Sequence, residues 1–222
     1  TSIFMCVWCV WFLCYIVGAV GVKLYEKYSY SKETMDLSRY YGIEKEGQVP
    51  IILADVVAEE KAANIDGNDY LPLSFIQEQL NSRFYYDMNE KLLLYTTALD
   101  LYEIPLDSTT YTVSGEAAEH TCPIFVLQDE VPYVSLSFME NFSNFICNVY
   151  EAPHRLQIYT ENVTHQTAVI QKATAVRYQG GIKSDILEQQ DAGSQVTVLE
   201  EMENWSKVET ADAVIGYVEN KR

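Results

Sequence analysis

The sequence predicts an α+β domain built from two repeats, followed by a small all-β barrel, both behind one N-terminal transmembrane helix. Three observations predict it. Residues 3–22, IFMCVWCVWFLCYIVGAVGV, form an apolar run without a charge. YLPLSF at 70–75 returns as YVSLSF at 133–138, 63 positions later. The last fifty residues break into short strand candidates separated by Gly and Asp turns.

The apolar run is long enough to cross a bilayer core as a helix. Small residues at Val17-Gly18-Ala19 leave cleavage as a secretory signal as the alternative. Cys6, Cys9 and Cys14 lie inside the run and read as apolar filling. All 32 acidic and 15 basic residues follow residue 22, so the net charge of −17 belongs to the polar body. Such a polyanion repels nucleic acid and gains nothing from an anionic membrane surface. An N-terminal hydrophobic run before a large polar body predicts export of that body. The expected location is the cell membrane, single-pass, with the bulk extracellular, or secretion after cleavage.

Residues 23–47 mix charges and tyrosines without strand alternation and read as a juxtamembrane stalk with a short helix around Glu33–Tyr41. VPIILAD from Val49 and the stretch Val56–Ala63 read as strands, with a turn at 65–70. The repeat follows. At a shift of 63, Tyr70 meets Tyr133, Leu73 meets Leu136, Ser74 meets Ser137, Phe75 meets Phe138 and Asn81 meets Asn144. Ser74 with Gln77, and Ser137 with Glu140, have the spacing of capping boxes and predict a helix start in each copy. A hairpin follows each helix, RFYYDMNEKLLLYT and ICNVYEAPHRLQIYT. Matching Tyr95-Thr96 to Tyr159-Thr160 predicts one inserted residue in the second copy. Cys147 falls where Phe84 falls, which favours a buried thiol over half of a disulfide with Cys122. The recurring residues are apolar or cap-forming, and no acid, histidine or nucleophile recurs with them. The repeat therefore reads as duplicated structure rather than a duplicated ligand site.

IDGNDYLPLSFIQEQLNSRFYYDMNEKLLLYT resembles the copper amine oxidase N-terminal-like domain, and residues 48–165 are its expected extent. That resemblance implies an extracellular accessory module and no copper. His120, His154 and His165 are scattered, and His120 with Cys122 lacks a visible third ligand, so no metal is expected. Over 170–222, the residues VR ending at Arg177, GGIKSDIL, the Gly193 turn before VTVL, WSKV and GYV resemble a bacterial SH3 domain. Ala213 departs from the glycine usual before the last strand of that family. The expected fold class is thus an α+β two-repeat amine-oxidase-N-like domain followed by an all-β SH3-like barrel, with 1–22 as transmembrane anchor and 23–47 as stalk. This order resembles the non-catalytic half of Gram-positive exported proteins that continue into a glycoside hydrolase family 18 barrel. The catalytic DxxDxDxE motif of that family is absent. Asp66-Gly-Asn-Asp69 begins like it but runs into Tyr-Leu-Pro without the glutamate and reads as a turn.

No P-loop, Gly-x-Ser-x-Gly or zinc-spaced cluster is visible, so no catalytic residue, metal or cofactor is expected. The candidate ligand-binding residues are Tyr178, Trp205 and Tyr217 on the C-terminal barrel, because aromatic faces stack on sugar rings and grip short peptides. Trp205 has an alternative role as the barrel's core tryptophan. The resemblances imply a wall polysaccharide or peptide (peptidoglycan) as partner, the membrane as a second contact through the N-terminal helix, and no nucleic acid. The expected function is a membrane-anchored wall-binding region that tethers a family 18, chitinase-like glycosidase. The alternative is a stand-alone envelope sensor or protein-interaction protein.

Overall fold

The computed structural model describes residues 20–161 and 164–222. They divide into two compact units. One holds the described residues up to Met35 with Thr167–Val208 and Val214–Arg222, and the other holds Asp36–Gln166 with Glu209–Ala213.

In the second of these, β1 (Gln48–Leu53), β2 (Val56–Ile65) and β3 (Asn68–Pro72) form an antiparallel meander. Positive φ at Asp66 (51°) and Gly67 (80°) makes the tight β2–β3 turn. Strands β4 (Phe84–Asp87), β5 (Leu92–Thr96), β6 (Leu101–Pro105), β7 (Thr110–Val113) and β8 (Glu116–Glu119) form a five-stranded sheet in chain order. Strands β9 (Phe125–Gln128), β10 (Val131–Ser135), β11 (Ile146–Tyr150) and β12 (Arg155–Tyr159) complete a seven-stranded sheet, ordered β11-β12-β1-β2-β3-β10-β9. Val49, Ile51 and Leu71 of the larger sheet share one core with Phe84, Leu93 and Ile104 of the smaller. Several of the tyrosines are spent here: Tyr95 stacks on Phe84 with ring centres 4.4 Å apart and meets Phe142 edge-on.

The repeat pairs with itself. β3 and β10 lie side by side, with Tyr70 opposite Ser135, Leu71 opposite Val134 and Pro72 opposite Tyr133. Leu71 and Val134 are equivalent at the shift of 63, so a local two-fold axis passes through that pair. Both side chains are fully buried. The hairpins keep the same shift: Phe84 pairs with Tyr95, and Cys147 with Ile158. Both loops have four residues, 88–91 and 151–154, so the expected insertion is absent. The two Tyr-Thr pairs are one position out of register, and Tyr95 corresponds to Ile158. Cys147 does take the place of Phe84 and packs against the core; burial pushes its thiol up to about 12. Cys122 and Cys147 are both free thiols.

The α+β expectation is corrected. Strands hold 46 % of the described residues and helices 12 %, and the repeat unit is β-structure carrying short helical turns. Helix α1 (Leu37–Tyr40) is capped by Asp36, whose carboxylate accepts from the Ser38 and Arg39 N–H groups. Helix α2 (Leu73–Phe75) passes into a π-turn at Ile76–Leu80, and α3 is Leu136–Met139. Neither capping box forms, because each helix starts straight from a strand, with Pro72 and Ser135 at the cap positions, and places its serine two residues too far in. Ser74 Oγ instead donates to Glu60, and Ser137 Oγ bonds His120. The Asn141 side chain donates to the carbonyls of Ser137 and Phe138, which ends α3 after one turn.

The expected transmembrane helix has no counterpart among the described residues, where no helix is long and apolar enough to cross a membrane. Residues 1–19, on which most of that reading falls, lie outside the described residues. The helical residues 20–28 carry Lys23, Glu26 and Lys27, which a bilayer core excludes.

The first unit is a six-stranded sheet, ordered β13-β16-β17-β18-β14-β15, from β13 (Gln166–Val169), β14 (Thr174–Arg177), β15 (Ile186–Gln190), β16 (Gln195–Glu201), β17 (Trp205–Glu209) and β18 (Ile215–Glu219). Its small core is Ile170, Val176, Val196, Val208 and Val218. Before the last strand, Ala213 takes φ 55°. This is the left-handed region that costs a residue with a Cβ about 1 kcal/mol, which explains why glycine is the usual choice there.

An upstream segment completes this unit. Residues 30–35 run extended beside β15, with a parallel bridge between Thr34 and Ile186. Ser31 N–H donates to Ile182 O (2.7 Å), Ile186 N–H to Glu33 O (2.8 Å) and Met35 N–H to Ile186 O (2.8 Å). Lys183 caps the end of the helical residues 20–28 through the carbonyls of Glu26 and Ser29. The segment read as stalk thus supplies a strap to the unit that holds the expected barrel.

Candidate functional site

Strap and strands enclose a cleft of about 230 Å³. Its floor comes from β14, where a bulge between Val176 and Arg177 turns the arginine. Arg177 is 5 % exposed. Its guanidinium donates to Ser184 O and to Ser31 O (3.1 Å), and lies 5.6 Å from the centre of the Tyr30 ring. Burial pushes it below its ordinary value, opposed by Tyr30 and Glu219. Tyr30, 37 % exposed, donates its hydroxyl to Glu219 Oε2 at 2.9 Å. Glu219 also meets Lys221 Nζ at 2.7 Å and Arg222 Nε at 3.7 Å. Burial opposes its charge, but these bonds prevail and hold its carboxyl below the ordinary carboxylate value.

The sequence-derived candidates fall in two places. Trp205 is partly exposed and lines the cleft, outside the five-residue apolar core. Tyr217, also partly exposed, lies opposite Arg177 in the β14–β18 pairing. Gly180 brings the two rings together: a Cβ there would sit 3.3 Å from Trp205 Cγ and 3.6 Å from Tyr217 Cδ1. Tyr178 is 43 % exposed and does not line the cleft. The residues that sequence reasoning missed are Tyr30, Lys32 and Arg177. Arg177 was visible as part of the VR motif, but nothing local shows that residues 30–32 come to lie against it.

Two of the polar clusters in the repeat unit contain a hydrogen-bonded histidine. His120 Nε2 is 2.9 Å from Ser137 Oγ, which is 2.9 Å from Ser135 Oγ, itself 3.4 Å from Cys122 Sγ. A Ser–His pair works as nucleophile and base when a third group orients the imidazole. Among the described residues no carboxylate does so here, and Ser135 and Cys122 are buried. The chain satisfies hydrogen bonds at the base of α3. The second cluster is a clamp. His154 Nε2 meets both Asp69 oxygens (2.9 and 3.0 Å), and Nδ1 meets Glu151 Oε1 (3.0 Å). Among the described residues no group of three or more His, Cys, Asp and Glu is placed to hold a metal ion.

The clamp gives a pH prediction. Burial works against the His154 charge, but the bonds to Asp69 and Glu151 outweigh it and raise the imidazole above its ordinary 6.5. A raised folded value means that stability from the clamp is complete below 6.5 and is lost as pH rises through the raised value. Unfolding followed from pH 5.5 to 9 should show the repeat unit weakening through this window. His154→Gln should flatten that slope; an unchanged slope in the variant would remove the clamp from the explanation.

Residues 172–222 match the bacterial SH3 domain family. The matched stretch begins after the helical residues 20–28, the strap and β13, so these parts of the folded unit lie outside it. Neither a curated protein nor a solved structure matches the chain.

Proposed function

We propose that this chain is a non-catalytic wall-binding module that works outside the cell, with the barrel unit as its binding part. The observation that carries the reading is the bacterial SH3 match over 172–222 together with a cleft that joins Trp205 to a buried cation. Domains of this family commonly bind peptidoglycan. Trp205 and Tyr217 are the rings proposed to stack on the ligand, with Tyr178 as an outer contact. The repeat unit then acts as a spacer, which fits a duplication whose equivalent residues are spent on pairing with each other. The resemblance of the whole layout to exported family 18 glycosidases supports a further step, in which the module positions a chitinase-like enzyme at the wall. The net charge of −17 means that general attraction to an anionic polymer does not drive binding. Local contacts must.

Sedimentation of the full chain with purified wall sacculi tests the reading. Wild-type protein should pellet at low and at high salt. Trp205→Ala should weaken retention about tenfold, in the range of a lost aromatic contact. Wild-type protein that is folded but stays in the supernatant at both salts would overturn it and leave the barrel a protein-interaction module.

A further inference from the structure

The cleft holds an imbalance of charge that the protein does not resolve by itself. Three cations line it, Lys32, Arg177 and Arg222, against one carboxylate, Glu219. That carboxylate is already engaged by Tyr30, Lys221 and Arg222. Arg177 is left with two carbonyls and an aromatic face, and among the described residues neither it nor Lys32 has a carboxylate at ion-pair distance. A buried guanidinium without a carboxylate at ion-pair distance is costly, because carbonyls and a ring return only part of what water gave it. In a chain with 32 acidic and 15 basic residues, a carboxylate for Arg177 would have been easy to supply. The gap opens onto a cleft lined on its other sides by Trp205 and Tyr30.

We propose that this cleft binds a small carboxylate: Arg177 and Lys32 take the anionic oxygens, and Trp205 and Tyr30 cover the carbon skeleton. Guanidinium geometry suits a carboxylate, which can accept two parallel N–H bonds. The volume of about 230 Å³ is of the order of one sugar ring or two amino-acid residues. The strap is part of the site, since it supplies Tyr30, Ser31 and Lys32. The source of the ligand rests on the wall-binding reading. Bacterial wall offers this chemistry in two forms, the lactyl carboxylate of N-acetylmuramic acid and the terminal carboxylate of a stem peptide.

The test uses the full chain carrying Trp8→Phe and Trp11→Phe, which makes Trp205 the single tryptophan. Its fluorescence is titrated with N-acetylmuramic acid and with N-acetyl-D-alanyl-D-alanine. The neutral controls are N-acetylglucosamine and the dipeptide amide. At least one carboxylate should give a saturable change, and its neutral control should bind at least about tenfold more weakly. The compound that responds identifies the source. Lys32→Ser, at an exposed position, should weaken binding about fivefold. Arg177→Gln should weaken it more, and if that variant does not fold, Lys32→Ser decides. No saturable change with either carboxylate, equal binding of the neutral control, or an unaffected Lys32→Ser variant would each overturn the proposal. The wall assay separates the two readings. Protein that pellets with sacculi but ignores both carboxylates defeats the cleft assignment alone. Protein that binds a carboxylate but not sacculi defeats the wall reading alone.

Discussion

Gly216→Ala should destabilise the barrel unit by about 3 kcal/mol, at the upper end of the cost of overpacking. A Cβ at this position would lie 2.6 Å from Val176 Cγ1 and 2.7 Å from the Arg177 carbonyl oxygen. The valine could turn, but the carbonyl is backbone and cannot retreat without parting β14 from β18 where Arg177 pairs with Tyr217. Here glycine serves close approach of two strands. The same displacement would shift Arg177 and Tyr217, so carboxylate and wall binding should fall together with stability. Denaturant unfolding followed by the Trp205 signal measures the first effect. A loss below about 1 kcal/mol would mean that the strands do not approach this closely.

The second large effect lies on the local two-fold axis. Leu71→Ala should cost about 3 kcal/mol and Val134→Ala about 2 kcal/mol, the loss expected for emptying fully buried aliphatic positions. Both side chains are 0 % exposed and face each other across β3 and β10. Because they are direct neighbours, the double variant should depart from additivity by more than about 0.5 kcal/mol. Hydrogen exchange of the β3 and β10 amides reads the change within the repeat unit, apart from the barrel. Additive, sub-kilocalorie effects would contradict the pairing of the repeat with itself.

Local chemistry explains what the amino-acid sequence determined alone. The strand candidates at 174–178, 195–200, 205–210 and 214–218 are observed as β14, β16, β17 and β18, shifted by a residue or so at their ends. Short alternating runs between Gly and Asp turns carry their own signal, and the bacterial SH3 pattern rests on them. The internal duplication was equally legible, because its letters are core residues: Tyr70, Leu71, Leu73 and Phe75 are all buried, as are Val134, Leu136 and Phe138. Helix length was not legible. It depends on the Asn141 side chain turning back onto α3 and on α2 widening into a π-turn, both set by packing. Register was not legible either, since the coincidence of two Tyr-Thr pairs suggested an insertion that the ladder Cys147–Ile158 excludes.

Tertiary structure alone decided where the equivalent hairpins go and what the site contains. β4 and β5 join β6 in the smaller sheet, while β12 pairs in parallel with β1 at the other end of the sequence. No local pattern specifies that difference, because each strand edge takes the partner that the rest of the chain leaves available. The cleft has the same origin. Residues 30–32 stand about 145 positions before Arg177 in the sequence, and read locally they are a polar linker. Paired along β15 they give Arg177 a carbonyl and an aromatic face but no carboxylate at ion-pair distance. The lack of an ion-pair partner is a property of the assembled surroundings of one side chain, and so it exists only in the folded protein.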